Sequence, residues 1–208
     1  LEVTVKIIVV RHGQTEWNKK DIFRGRKDIP LDESGKKQAM LTAGRIAEMG
    51  LSVKAVYASP LHRAVETAQQ IARIYGLKVI PKNELIEFDC GEWEGHCVEE
   101  VKKKYPQIYT DWLNHPEKLV IPGAESLEQV TKRVQVAVKS ILKEAQGDTV
   151  IVTHKVINKV VIGCLMGWDQ DHFWKLEQDL AAINIIEIQD RHAVVEMLNH
   201  TTHLLHDK

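Results

Sequence analysis

The sequence predicts an α/β protein, a three-layer α/β/α sandwich around a mostly parallel central sheet. Three observations carry this expectation. Short apolar runs such as Lys6-Ile7-Ile8-Val9-Val10 and Val150-Ile151-Val152 have the length and content of strands buried on both faces. Stretches with apolar residues at helical spacing stand between such runs. The resulting order, β-loop-α-β-α-β-insert-α-β-α-β-β, is the alternation that builds parallel sheets with helices on both sides.

The first strand ends at Val10, and Arg11, His12 and Gly13 follow it directly. A polar, glycine-marked stretch from Gln14 to Pro30 then reads as a functional loop. The next helix places Ala39, Ala43, Ile46 and Ala47 on one face and closes at Gly50. Strand Ala55-Val56-Tyr57-Ala58 leads into Ser59-Pro60, read as N-cap and first helical position. Leu61, Ala64, Val65, Ala68, Ile71, Ala72 and Tyr75 follow at helical spacing before Gly76. After a short strand around Lys78 to Pro81, residues 83–95 form an acidic, aromatic, glycine-containing segment unlike core.

Residues 97–123 read as short helices broken by Pro106, Pro116 and Pro122, with Tyr105, Tyr109 and Trp112 available to cover a cleft, so 96–123 is expected to be a lid insertion within a single domain spanning 1–208. A capping box of Ser126 and Gln129 starts a long helix burying Leu127, Val130, Val134, Val138, Ile141 and Leu142, with Gly147 as its stop. The strand ending at His154 feeds a helix carrying Val156, Ile157, Val160, Val161, Cys164 and Leu165. Strands at Ile183 to Ile188 and Ala193 to Leu198 complete the sheet.

Bulk properties narrow the function classes. The 208 residues carry a formal net charge of -1, which gives no basic field for a nucleic-acid backbone. No stretch approaches the ~18 apolar residues of a membrane span, and the first ten residues are too short for a signal peptide. Cys90, Cys97 and Cys164 form neither a CxxC pair nor an even disulfide set. A cytoplasmic protein with no nucleic-acid or membrane partner is expected. Leu1 in place of an initiator Met leaves room for residues upstream, and a homodimer stays open, because exposed and interface apolar faces look alike in one sequence.

Chemistry concentrates where strands end. Arg11 and His12 follow the first strand, His154 follows another, and Arg63 stands in the first turn of the helix after a third. Strand carboxyl ends are where open α/β sheets gather ligands, and helix starts favour anions. Guanidinium forks suit phosphate oxygens, a neutral imidazole can take a phosphoryl group, and a second histidine can stabilise the shifting charge. The leaving alkoxide needs a proton from a carboxylic acid with raised pKa, and Glu87 is preferred over its neighbours Glu84, Asp89 and Glu92. No HExxH or cysteine-histidine ligand spacing is present, and His200, His203 and His206 are loosely spaced, so neither metal nor cofactor is expected.

At these residues the chain resembles the histidine phosphatase superfamily, which includes the cofactor-dependent phosphoglycerate mutases. The strings are Arg11-His12-Gly13-Gln14-Thr15-Glu16-Trp17-Asn18, Ser59-Pro60-Leu61-His62-Arg63-Ala64-Val65-Glu66-Thr67-Ala68, Leu85-Ile86-Glu87 through Gly91-Glu92-Trp93-Glu94-Gly95, Gly123-Ala124-Glu125-Ser126 and Val152-Thr153-His154. The resemblance implies a phosphoglycerate mutase-like fold and metal-independent phosphomonoester hydrolysis through a phosphohistidine. His12 would be the nucleophile, Glu87 the proton donor, Arg11, Arg63 and His154 the phosphate pocket, and Asn18 a further ligand.

Two departures bear on substrate. Lys155 follows His154 where glycine is common, and Arg24 stands where serine, threonine or glutamine is common, so a substrate with a further anionic group is expected. Phe88-Asp89-Cys90-Gly91 and the short chain favour a phosphatase over a mutase. His172-Phe173-Trp174, Gln178-Asp179, Ala182-Ile183-Asn184 and the segment from Leu198 to Leu204 resemble metal-independent phosphoserine phosphatases and α-ribazole phosphatases. By that likeness His203 would meet a substrate carboxylate. The partner is thus a small phosphorylated metabolite. A phosphoglycerate mutase and a non-catalytic phosphate-binding module are the alternatives.

Overall fold

The computed structural model describes residues 4–190 and 192–207. Its strands are β1 (Val5–Arg11), β2 (Val53–Ala58), β3 (Val79–Pro81), β4 (Asp148–Thr153), β5 (Ile183–Ile188) and β6 (Ala193–His200). They form one sheet in the order β3-β2-β4-β1-β5-β6. β1, β4, β2 and β3 pair in parallel, and β5 runs antiparallel to both β1 and β6, so the sheet is mixed but mostly parallel, as expected.

The period of two along each strand sorts the core into two layers. Ile7, Val9, Tyr57, Ile151 and Ile186 face α6 (Leu127–Glu144) and α7 (Lys155–Met166). Ile8, Val10, Val56, Ala58, Val150 and Val152 face α2 (Glu33–Glu48) and α3 (His62–Ile74). Ala64, Ala68 and Ala72 on α3 are buried, and their small side chains let that helix lie close to the sheet. The loop after β1 holds a short helix, α1 (Glu16–Lys19), closed by a reciprocal capping box of Thr15 and Asn18. The region 96–123 folds as α4 (Val98–Lys104), α5 (Pro106–Asn114) and a 3₁₀ turn at Pro116–Lys118.

Several expectations are corrected. Helix α3 begins at His62 with Leu61 as N-cap, so Ser59 is not the cap and Pro60 is not its first residue. Ser59 sits at the end of β2 with its N–H donated to Val152 O, and its hydroxyl is used by a histidine described below. Arg63 stays in the first turn. Residues 83–95 do belong to the core: Leu85, Phe88, Cys90 and Trp93 are buried, while Glu92 faces solvent. Two 3₁₀ turns, Asn83–Leu85 and Gly91–Trp93, bring the apolar members inward, and the intervening acids hid that pattern from a helix or strand template. Helix α6 stops at Glu144, ahead of Gly147, and β6 runs on to His200.

One packing constraint reaches the strand end that carries Arg11 and His12. A Cβ on Gly35 would lie 2.0 Å from Gln14 O, and one on Gly13 would lie 2.4 Å from Gly35 O. The exit of β1 and the first turn of α2 therefore touch backbone to backbone. Gly35→Ala is expected to lower unfolding stability by about 1–3 kcal/mol, the usual cost of overpacking, read from the denaturant midpoint. A neutral result would show that this junction yields.

Candidate active site

Parallel register brings the chemistry together. Arg11 pairs with Thr153 across β1 and β4, and Val152 pairs with Ala58 across β4 and β2. One residue beyond those pairs stand His12, His154 and Ser59. The His12 N–H is donated to Thr153 O at 3.0 Å, and the two imidazoles meet edge to face with centroids 5.2 Å apart.

His12 is completely buried. Its Nδ1 lies 2.6 Å from Gly13 O, and a carbonyl can only accept, so Nδ1 carries the proton. That leaves Nε2 with a free lone pair and no hydrogen-bond partner. Burial, reinforced by Arg63, Arg11 and Arg24, holds His12 well below the ordinary imidazole value and therefore neutral at pH 7. Tautomer and charge are those of a nucleophile.

His154 is also buried and pushed down, first by burial and then by Arg63, His12, Arg24 and Arg11. Its Nδ1 accepts from Arg63 Nε at 3.2 Å, so Nε2 donates to the Ser59 hydroxyl at 2.7 Å. Arg63 further donates to Lys27 O at 2.7 Å and Gly25 O at 3.1 Å. Arg11 donates through Nη1 to Gln178 O at 2.6 Å, while its Nε is unpaired. Burial lowers Arg11 to about 9 and Arg63 to about 10, leaving both cationic at neutral pH.

Against these cations stands one buried acid among the described residues. Burial raises Glu87 above the usual carboxyl value, more than the Phe88 N–H and Arg63, Arg24 and Arg11 lower it. Its backbone is fixed from α6: Arg133 Nη1 donates to Glu84 O and Ile86 O, each at 2.7 Å, and Nη2 donates to Glu87 O at 3.2 Å. Glu125 in turn holds Arg133 by two bonds of 2.9 Å.

A cavity of about 530 Å³ opens onto this cluster. Arg11, Asn18, Arg24, Glu87 and Lys155 line it, together with Phe88, Trp93, Tyr109 and Trp112. His12, Arg63 and His154 are fully buried and do not themselves line the cavity, to which Arg11, the neighbour of His12, and Lys155, the neighbour of His154, contribute. Asn18 also accepts from Thr15 N and Oγ1, and Lys155 pairs with Glu177 at 2.5 Å. The structure does not bring His203 to the cavity. Its Nε2 lies 3.0 Å from the Thr42 hydroxyl on α2, and its ring stacks on His200. Among the described residues, no group of three or more His, Cys, Asp or Glu is placed to hold a metal ion, and no helix is long and apolar enough to cross a membrane.

Sequence reasoning missed the supports. Thr67 accepts from Gly13 N at 3.2 Å and donates to Arg63 O at 2.8 Å, tying the first strand end to α3. Gln178, which receives Arg11, is itself bonded to Asn158 and Asn184, and Asn184 donates to Val9 O. Runs of polar residues inside apolar elements, as at Asn158 and Asn184, were the available signal.

Comparison with known proteins agrees over most of the chain. The profile of the histidine phosphatase superfamily (branch 1) matches residues 7–201. Phosphoserine phosphatase 1 of Hydrogenobacter thermophilus is 39% identical over 201 residues, covering 96% of this chain and 94% of that one. Among solved structures, phosphoserine phosphatase from Entamoeba histolytica in complex with 3-phosphoglyceric acid superposes with a TM-score of 0.83 at 29% identity, covering 96% and 99%. The α-ribazole phosphatase of Shigella flexneri shares the fold, with a TM-score of 0.82 at 24% identity and coverage of 94% and 96%.

The buried histidines set a pH dependence. His12, His154, His200 and His203 are all held down, chiefly by burial, His203 to about 4. Below the unfolded value of about 6.5 the unfolded chain binds protons that these native groups refuse, so stability falls as pH drops through that window. Glu87, raised in the native state, acts in the opposite sense as pH rises past its unfolded value. His62, raised by its bond to Asp28 on the surface, also acts in the opposite sense. With four buried or half-buried histidines against these two groups, the melting temperature is expected to fall from pH 7 to pH 5, and His203→Gln should flatten the decline. A flat profile for the parent protein would contradict this.

Proposed function

The chain belongs to the histidine phosphatase superfamily (branch 1), and we propose that it hydrolyses phosphoserine through a phosphohistidine on His12 without a metal. At the coarser level it is a histidine-phosphatase-type phosphomonoesterase of small metabolites. The observation that carries the chemistry is the bare Nε2 of neutral, buried His12 set among Arg11, Arg24 and Arg63.

The His12 Nε2 lone pair attacks phosphorus, the ester P–O bond breaks, and its electrons go to the serine oxygen, which takes a proton from Glu87. Arg11 and Arg63 neutralise the equatorial oxygens. Arg63 exchanges its carbonyl partners for phosphate, a stronger charge-assisted bond. The His154 Nε2–H, donated to Ser59 in the resting protein, can turn to a phosphoryl oxygen, and the dianion offsets the part of the lowered His154 pKa that comes from the surrounding cations. In the second half, the Glu87 carboxylate takes a proton from water, water oxygen attacks phosphorus, and the P–N bond breaks to give inorganic phosphate. Segment 96–123, which puts Val98, Tyr109, Trp112 and Leu113 on the cavity wall, serves as the lid. None of the residues of α5 is fully buried, which suits an element that moves.

The substrate reading rests on the relative from Hydrogenobacter and on charge. The lining holds both cations, Arg24 and Lys155, and carboxylates, Asp21 and Asp179. That mixture suits a phosphorylated amino acid with its own carboxylate and ammonium groups.

His12→Ala is expected to abolish turnover and phosphoenzyme trapping, assayed in EDTA on phosphoserine, α-ribazole phosphate, 3-phosphoglycerate and p-nitrophenyl phosphate. Preferential release from α-ribazole phosphate would overturn the substrate assignment. Glu87→Gln should slow single-turnover release of serine from phosphoserine by about 10²–10⁴-fold, the range of general acid catalysis, and single-turnover release of p-nitrophenol much less, because that leaving group needs no proton and the first half-reaction precedes the base role of Glu87. Equal losses would remove the acid role. Arg24→Ala should raise KM for phosphoserine by about 10- to 100-fold, matching roughly 1.5–3 kcal/mol for a hydrogen bond to a charged group, with a smaller change for the aryl ester.

A further inference from the structure

A second cavity, of about 340 Å³, lies between α6, α7 and the 3₁₀ turn Gln170–Lys175, and it shares no lining residue with the catalytic cavity. Its wall is largely apolar, with Leu127, Val160, Trp168, Phe173 and Leu176, and Lys159 of α7 completes it. Lys159 is only 2% exposed, and its Nζ makes no hydrogen bond. The ammonium lies 4.1 Å from the Trp174 ring centroid and 4.8 Å from that of Phe173.

Ring faces attract the charge, the more so when it is desolvated. They do not replace the oxygen acceptors that three N–H donors had in water, and burying an ammonium without them is costly. A methionine would fill the same space without that penalty. Glu177, the acid that acts on Lys159, is already bonded to Lys155. Burial, together with Lys155 and Arg11, presses Lys159 down to about 8, which an anion beside it would reverse. Two other titratable residues on the wall, Asp169 and His172, bond each other at 2.7 Å.

We propose that this cavity is a second ligand site, which binds a small carboxylate with an apolar body, its carboxylate on Lys159 and its body among Leu127, Val160, Trp168 and Leu176. One cation in an apolar wall fits a monoanion, whereas a phosphate dianion would leave a charge unmatched. The site is independent of the phosphoserine reading. It also touches the catalytic apparatus, because Leu176 of its wall is followed by Glu177, bonded to Lys155, and by Gln178, whose carbonyl receives Arg11.

The test is titration of the full chain with 3-phenylpropionate, followed by tryptophan fluorescence and calorimetry, with 3-phenylpropan-1-ol and inorganic phosphate as comparison probes. Saturable binding is expected for the carboxylate, at least tenfold weaker for the alcohol. Lys159→Met should weaken the carboxylate at least tenfold while leaving the fold intact, since it removes a buried charge. Gly163→Leu, which fills the cavity from α7 and leaves Lys159 in place, should do the same. Arg24→Ala should leave the binding unchanged, which separates this site from the catalytic cavity. Absence of saturable binding, binding that both cavity variants leave intact, or binding lost in Arg24→Ala would each overturn the proposal.

Discussion

The parallel register of β2, β4 and β1 is the constraint on which the site rests. Because Arg11 lies opposite Thr153 and Val152 opposite Ala58, the residues after the three strands emerge level with one another. A shift of one position would turn the side chains of a strand to the other face. The register is held from both sides, since the two faces of β1 carry separate apolar clusters that would both be broken. Core packing thus fixes the distance between two imidazoles with which it shares no chemistry.

The cluster built on that register is electrostatically unbalanced. Arg11, Arg24 and Arg63 converge where Glu87 is the one buried acid, and the two histidines stay neutral partly because those cations are there. Such an arrangement costs stability in the resting protein and is compensated when a dianion arrives. Local rules of charge pairing are expected to fail where function demands it. The same imbalance helps burial keep a proton off His12 Nε2, so in the proposed mechanism the field that would attract phosphate also prepares its attacker.

The layers, the helices and the strand-end residues were readable because each rests on short-range pattern: β1 and β4 are continuous apolar runs, and α6 carries both its cap and its stripe. Arg11, His12, Arg63 and His154 were readable because position after a strand or at a helix start is itself a sequence property. What escaped depends on long-range contact. Ser59 looked like a helix cap because Ser-Pro has that chemistry, yet its hydroxyl serves a residue 95 positions away. Segment 83–95 concealed four buried apolar residues because irregular turns have no period. His203 was drawn toward the cavity by likeness of sequence alone, and the fold sets it against α2 instead.

The way Arg133 gathers the carbonyls of Glu84, Ile86 and Glu87 makes the proposed proton donor a dependent of α6, while the proposed phosphate pocket depends on the strand ends. The site is therefore assembled from two separately anchored halves, which under the proposed mechanism would handle the phosphoryl group and meet the departing alcohol. Substitutions in the second half can accumulate without disturbing the first. A lineage built this way can change its diet of esters while the nucleophile and its cations stay as they are.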